Sequence, residues 1–233
     1  MKNNLLAGLA IMAGLIIGGT MLPLAVKTFR EADRTVTVKG LCEREVKADK
    51  VIWPVRYKVV GDDLSQVYAE IESKNSTIKS FLTQGGILES EISVSSPSIS
   101  DKFAQEYGNS DRRYRYIATS ILTVCTQDVD KVLELSARQN ELFKKDISIE
   151  TDNWESRTQF SFEGLNEIKP EMIQEATMNA REVAKKFAED SQSKLGKIKT
   201  ANQGTFSIED RDSNTPQIKK VRVVTNIVYY LKK

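Results

Sequence analysis

Between positions 175 and 190 the chain reads EATMNAREVAKKFAED, with alanine recurring at Ala176, Ala180, Ala184 and Ala188. Residues four apart share one helix face, which drifts by about 40° per step. Ile173, Val183 and Phe187 fall beside the stripe, while Lys185, Lys186, Glu189 and Asp190 include the wet-side positions. The face is small along its middle and bulky along a margin, which suits a long helix lying close on a sheet. The interleaved charges exclude a membrane role for it, and nothing in the stripe argues for a cofactor groove.

The rest of the chain supplies the sheet. Residues 34–46 alternate through Val36, Val38 and Val46, and 50–60 alternate through Val51, Trp53, Val55, Tyr57 and Val59, the period of half-buried strands. Pro54 lacks an amide donor, which predicts an edge or a bulge there. The period then changes to a helical one over 62–86, through Leu64, Val67, Ile71, Ile78 and Leu82, with Asp62 or Asp63 as cap and Gly85-Gly86 as stop. A strand follows at 91–95, then a polar, turn-rich arm at 95–113 and a long strand at 113–126. Residues 128–145 predict an amphipathic helix capped by Asp128, followed by strands at DISIET and RTQFSFEG. The alanine helix is expected over Lys169–Leu195, with Pro170 in its first turn and Gly196 as its terminal glycine. Another strand falls within 197–210, a loop over 210–217, and a last strand at 219–231. Interleaved strands and helices in this order predict a mixed α/β, α+β chain: largely antiparallel sheet covered by about three helices.

Composition removes several chemistries. The sequence contains no histidine, so the commonest general base, zinc ligand and nucleophile partner are all missing. Lys and Arg number 34 against 32 Asp and Glu, a net charge of +2, which offers no field to recruit nucleic acid. Neither GxxxxGK[ST], GxGxxG nor GxSxG occurs. The GDD at 61–63 reads as a turn and cap rather than as metal ligands. RRYRY at 112–116 reads as a strand end with alternating tyrosines, and Glu43 and Glu45 share a solvated strand face near Asp49. These readings leave no catalytic, cofactor-binding or metal-ligating residue.

Cys42 and Cys125 are the two cysteines, and both fall in expected strands. They can face one another and oxidise outside the cytoplasm, or serve as redox thiols, or be two small buried residues.

Residues 5–26 carry no charge and are long enough to cross a bilayer as a helix. A retained anchor is favoured over a cleaved signal because no good small-x-small cleavage pair follows the apolar run. The division expected is a tail at 1–4, a span at 5–26, a polar stalk at 27–33 and a folded domain at 34–232. Ala10, Gly14 and Gly18 stand four apart, a spacing that lets membrane helices approach and that also arises where Gly and Ala are simply common. Positive charge flanks the span on both sides, so it does not orient it.

Two stretches together carry a resemblance. TVTVKGLCEREVKADKVIW (35–53) and EATMNAREVAKKFAEDSQSKLGKI (175–198), the latter with its Leu195-Gly196, resemble the SIMPL domain family (DUF541), which includes periplasmic immunogenic and oxidative-stress-defence proteins. The usual Gly-Glu-Gly-x-Val is here GLCEREV, and the usual Pro-Asp turn is Ala48-Asp49. The resemblance covers roughly 34–232. It implies a mixed α/β domain in the periplasm, a tendency to homo-oligomerise, and no catalytic residue to carry over. The expectation is therefore a non-enzymatic protein of the bacterial inner membrane, with its domain in the periplasm, that self-associates or binds an envelope partner in envelope maintenance or stress defence. A soluble periplasmic form after signal cleavage is the alternative location. The alternative function is a thiol, redox or small-ligand-binding protein using Cys42 or Cys125.

Overall fold

The computed structural model describes residues 34–104, 113–151 and 156–232, together with positions 12, 14 and 19. The expected span at 5–26 and stalk at 27–33 lie outside the described residues, those isolated positions aside. In chain order the elements are β1 (Thr35–Lys47), β2 (Lys50–Gly61), α1 (Leu64–Gln84), a 3-10 turn (Glu89–Glu91), β3 (Ile92–Val94), β4 (Ser98–Asp101) and β5 (Tyr116–Thr126). Then come α2 (Val129–Ala137), α3 (Asn140–Phe143), β6 (Gln159–Ser161), α4 (Leu165–Asp190), β7 (Lys194–Gln203), β8 (Ser207–Asp210) and β9 (Ile218–Lys232). Strands β1, β9 and β7 form one sheet in that order, with β8 joined to β9. Strands β3, β5, β2 and β6 form the other, with β4 joined to β5. The ladders of the second sheet, and that between β7 and β9, are antiparallel.

The chain divides into two compact units. One holds residues up to Arg44 with Ile168–Ser207 and Val221–Lys233; the other holds Glu45–Glu167 with Ile208–Lys220.

In the second unit the alternation of β2 buries Val51, Trp53, Val55, Tyr57 and Val59 against Val67, Ile71, Ile78 and Leu82 of α1 and Val129, Val132 and Leu135 of α2. Asp63 caps α1 by accepting from the Gln66 amide at 2.9 Å, and Asp128 caps α2 by accepting from the Lys131 amide at 3.1 Å. Leu64, expected on the buried face, is exposed, because it precedes the first turn that reaches the sheet. Pro54 sits in a strand with neighbours on both sides. Arg56 O accepts from the Glu150 amide, so the even residues of β2 aim their backbone groups at the β6 flank. The β6 ladder reaches only Ile52, so the donor that Pro54 lacks would have met no partner strand. The helix expected over 128–145 is broken into α2 and α3, and DISIET contributes a single bridge, Ile149 to Tyr57, rather than a strand.

In the first unit α4 lies on the β1-β9-β7 sheet. Ala176, Ala180 and Ala184 are fully buried and Ala188 nearly so. The contact is made at backbone distance: a Cβ on Gly40 would stand 1.8 Å from Ala176 O and 2.8 Å from Ala180 Cβ. Only glycine on the strand facing alanine on the helix permits that approach. Val38, Ile227 and Tyr229 complete the layer with Ala180 and Ala184.

Both ends of α4 differ from expectation. It begins at Leu165, so Pro170 lies inside the helix and withholds one intrahelical bond. It ends at Asp190, and Gln192, at φ 51°, takes the left-handed position. Ser193 donates to Ala188 O at 2.8 Å and the Gln192 amide to Glu189 O at 2.9 Å, the double bond of a Schellman cap. Gly196 belongs instead to β7, where a Cβ would come within 2.7 Å of Tyr230 O.

Replacing Ala180 with Leu overpacks this layer and is expected to cost about 1–3 kcal/mol. Denaturant unfolding monitored by circular dichroism reads the loss; an unchanged midpoint would place Ala180 on the surface.

Candidate functional site

The inward alternation of β1 that presents Gly40 to α4 also turns Cys42 inward, with Arg44 beyond it. Glu171 and Glu175 stand one turn apart on α4. Arg44 Nη1 meets Glu171 Oε2 at 2.9 Å and its Nη2 meets Glu175 Oε2 at 3.8 Å. Burial, and then the hydrogen bond to the Glu175 carboxylate, push the Cys42 thiol up to about 11. At neutral pH this sulfur keeps its proton, the wrong state for a nucleophile or a metal ligand. Its environment ties strand to helix.

Cys125 is exposed on β5, opposite Ile52. Both cysteines are free, and they belong to different sheets, so the structure does not join them. Labelling with a thiol reagent near pH 8 is expected to modify one cysteine quickly in the native protein and both after denaturation. Rapid modification of two would contradict the buried, protonated Cys42.

The other residues that drew attention in the sequence have structural partners. Asp62 accepts from the Arg115 amide at 2.9 Å, and the Arg115 guanidinium pairs with Asp101 at 3.0 Å while lying 4.9 Å over the Tyr116 ring. Glu43 and Glu45, on the exposed face of β1, reach Arg222 at 3.5 Å and Arg211 at 3.3 Å. Among the described residues no group of His, Cys, Asp and Glu could hold a metal ion. Ala10 and Gly18 lie outside the described residues; Gly14 is helical, with nothing within 4 Å of where its Cβ would be. Among the described residues no helix is long and apolar enough to cross a membrane.

The second unit also holds a cleft of about 510 Å³ that no pattern in the sequence announces. One wall is the β6 strand with its approach, including Arg157, Thr158 and Phe160; the other is the β8–β9 hairpin, including Asp210, Ser213, Pro216 and Lys219. Two carboxylates fix these walls. Asp49 accepts from the amides of Glu163 at 2.8 Å and Gly164 at 2.7 Å, holding the chain just past β6. Asp212 accepts from the amides of Asn214 at 2.9 Å and Thr215 at 2.8 Å, from the Thr215 hydroxyl, and from Arg211 Nε at 3.0 Å. Lys219, only 7% exposed, pairs with Asp210 across the hairpin. The DSNTP run signals a tight turn, but nothing local to it announces that residues 157–160 will stand opposite.

The Thr215 hydroxyl and then Arg211 hold the Asp212 carboxyl well below the ordinary carboxylate range. A lowered group adds stability that is complete above its unfolded value of about 4 and is lost as the pH falls below it. The drop in melting temperature between about pH 5 and pH 3 is therefore expected to be smaller in Asp212→Asn than in the parent. An identical drop would mean that the loop contributes nothing to acid sensitivity.

These features define an α+β protein class in which each sheet buries one face under helices, with an alanine-faced helix seated on a glycine of its first strand. The family described as SIMPL, a protein of unknown function (DUF541), matches residues 36–229, and the chain belongs to it. Comparison with curated proteins finds no match.

Proposed function

We propose that this is a non-enzymatic, membrane-anchored envelope protein that works by associating with further copies of itself, with residues 34–232 in the periplasm. The charge-free run at 5–26 supports the anchor, and membership of the SIMPL family fits an envelope role. The protonated, buried Cys42 argues against thiol chemistry at that residue.

The observation that carries the association is one flank of α4. Asn179, Val183 and Phe187 follow one another at four-residue steps, and Asn179 Nδ2 donates to Leu41 O at 2.8 Å, so this flank lies on the β1 side. Val183 is 39% and Phe187 55% exposed, although the alanine face beside them is sealed. Among the described residues β1 has β9 as its one ladder neighbour, so no strand lies along its other edge, which the Asn179 side chain meets at Leu41 O. An apolar helix flank running beside such a strand edge is the pairing a second copy can cover, by strand addition together with side-chain burial.

Light scattering of the full chain in detergent, at tens of micromolar, is expected to give a protein mass at least twice the 26.2 kDa of one chain. Phe187→Asp is expected to return it towards a single chain. A strict monomer in the parent would overturn the proposal, and a mass that falls only with reductant would move the reading to the exposed Cys125.

A further inference from the structure

We infer that the cleft of the second unit is a binding site for a small organic monoanion, a carboxylate on a compact apolar body. This goes beyond the association proposed above and uses none of its residues. All the lining residues named here belong to the one unit.

Charge sets the class of ligand. The lining carries two cations, Arg157 and Lys219, and one carboxylate, Asp210. Lys219 is nearly enclosed and already paired with Asp210, so its ammonium is neutralised at short range. Arg157 is exposed at the rim, where its planar fork matches a carboxylate with two parallel hydrogen bonds. A monoanion brings the lining to neutrality. A dianion such as phosphate overshoots it and meets Asp210, whose side chain is half exposed, with like charge.

The remaining lining sets the body of the ligand. Thr158 and Ser213 supply hydroxyl groups, which donate or accept, while the Phe160 ring and Pro216 give an apolar surface on each wall. The volume of about 510 Å³ lies within the range of small-molecule sites and exceeds what a lone inorganic ion fills. The two walls are held by the backbone bonds to Asp49 and Asp212, so little ordering remains to be done when a ligand enters. A cleft with fixed walls, an exposed guanidinium that has no carboxylate partner among the described residues, and one apolar ring has the makings of a selective site.

The test uses the full chain in detergent and phenylacetate as the probe, titrated by calorimetry against the parent and Arg157→Gln. Arg157 is a surface residue, so the variant is expected to fold, and its melting temperature confirms this. Saturable binding in the parent, weakened at least about tenfold in the variant, is the result expected for a bidentate charge-assisted pair. The neutral analogue 2-phenylethanol and inorganic phosphate are expected to bind at least about tenfold more weakly than phenylacetate. No saturable binding of phenylacetate at millimolar concentration overturns the inference, as does equal binding by the variant. Tighter binding of phosphate, or equal binding of the alcohol, overturns the ligand class. Because the cleft and the α4 flank share no residue, the mass of the assembly is read independently of these titrations.

Discussion

Everything in the first unit follows from how closely α4 approaches β1. A strand residue with any side chain at position 40 would drive its Cβ into the backbone of Ala176, and a larger residue at 180 would do the same from the helix. The contact unites parts of the chain that are far apart, since residues 45–167 of the second unit intervene between β1 and the body of α4. Small residues bring the helix backbone near the sheet, where dispersion contacts are numerous. They also bury little apolar area of their own, so the bulkier Val38, Ile227 and Tyr229 must fill the flanks. The same close seating leaves Val183 and Phe187 without cover.

Carboxylates shape the second unit. Asp63 and Asp128 cap its two longer helices, and Asp49 and Asp212 gather backbone amides at two of its turns. In a chain without histidine, these acidic groups are engaged by backbone donors, arginines and lysines. Among the described residues, what stays chemically available is modest: an exposed Cys125, a cleft lined by Arg157, and an apolar flank beside the β1 edge.

Periodicity made much of this legible. The inward residues of β2 and the alanine face of α4 stand where alternation and four-residue spacing put them, because each segment repeats its pattern over several turns or pleats. Boundaries were less legible. Pro170 and Gly196 each carry a common terminal meaning, and both were misleading, since a Schellman cap at Gln192 ends α4 without glycine. The segment 128–145 forms two short helices, and beyond them Ile147 and Ile149 are buried in the core, Ile149 through its bridge to Tyr57. The cleft was invisible for a different reason. It exists only where residues 157–160 meet 210–219, and no local pattern encodes a meeting of distant segments.

Gly40 and the alanine face lock α4 to β1. Native-state amide hydrogen exchange tests this lock directly. Amides of residues 176–188 and of the inner part of β1 are expected to share the slowest exchange in the first unit and to open together. Fast exchange along 176–188, while β1 and β9 remain protected, would contradict it.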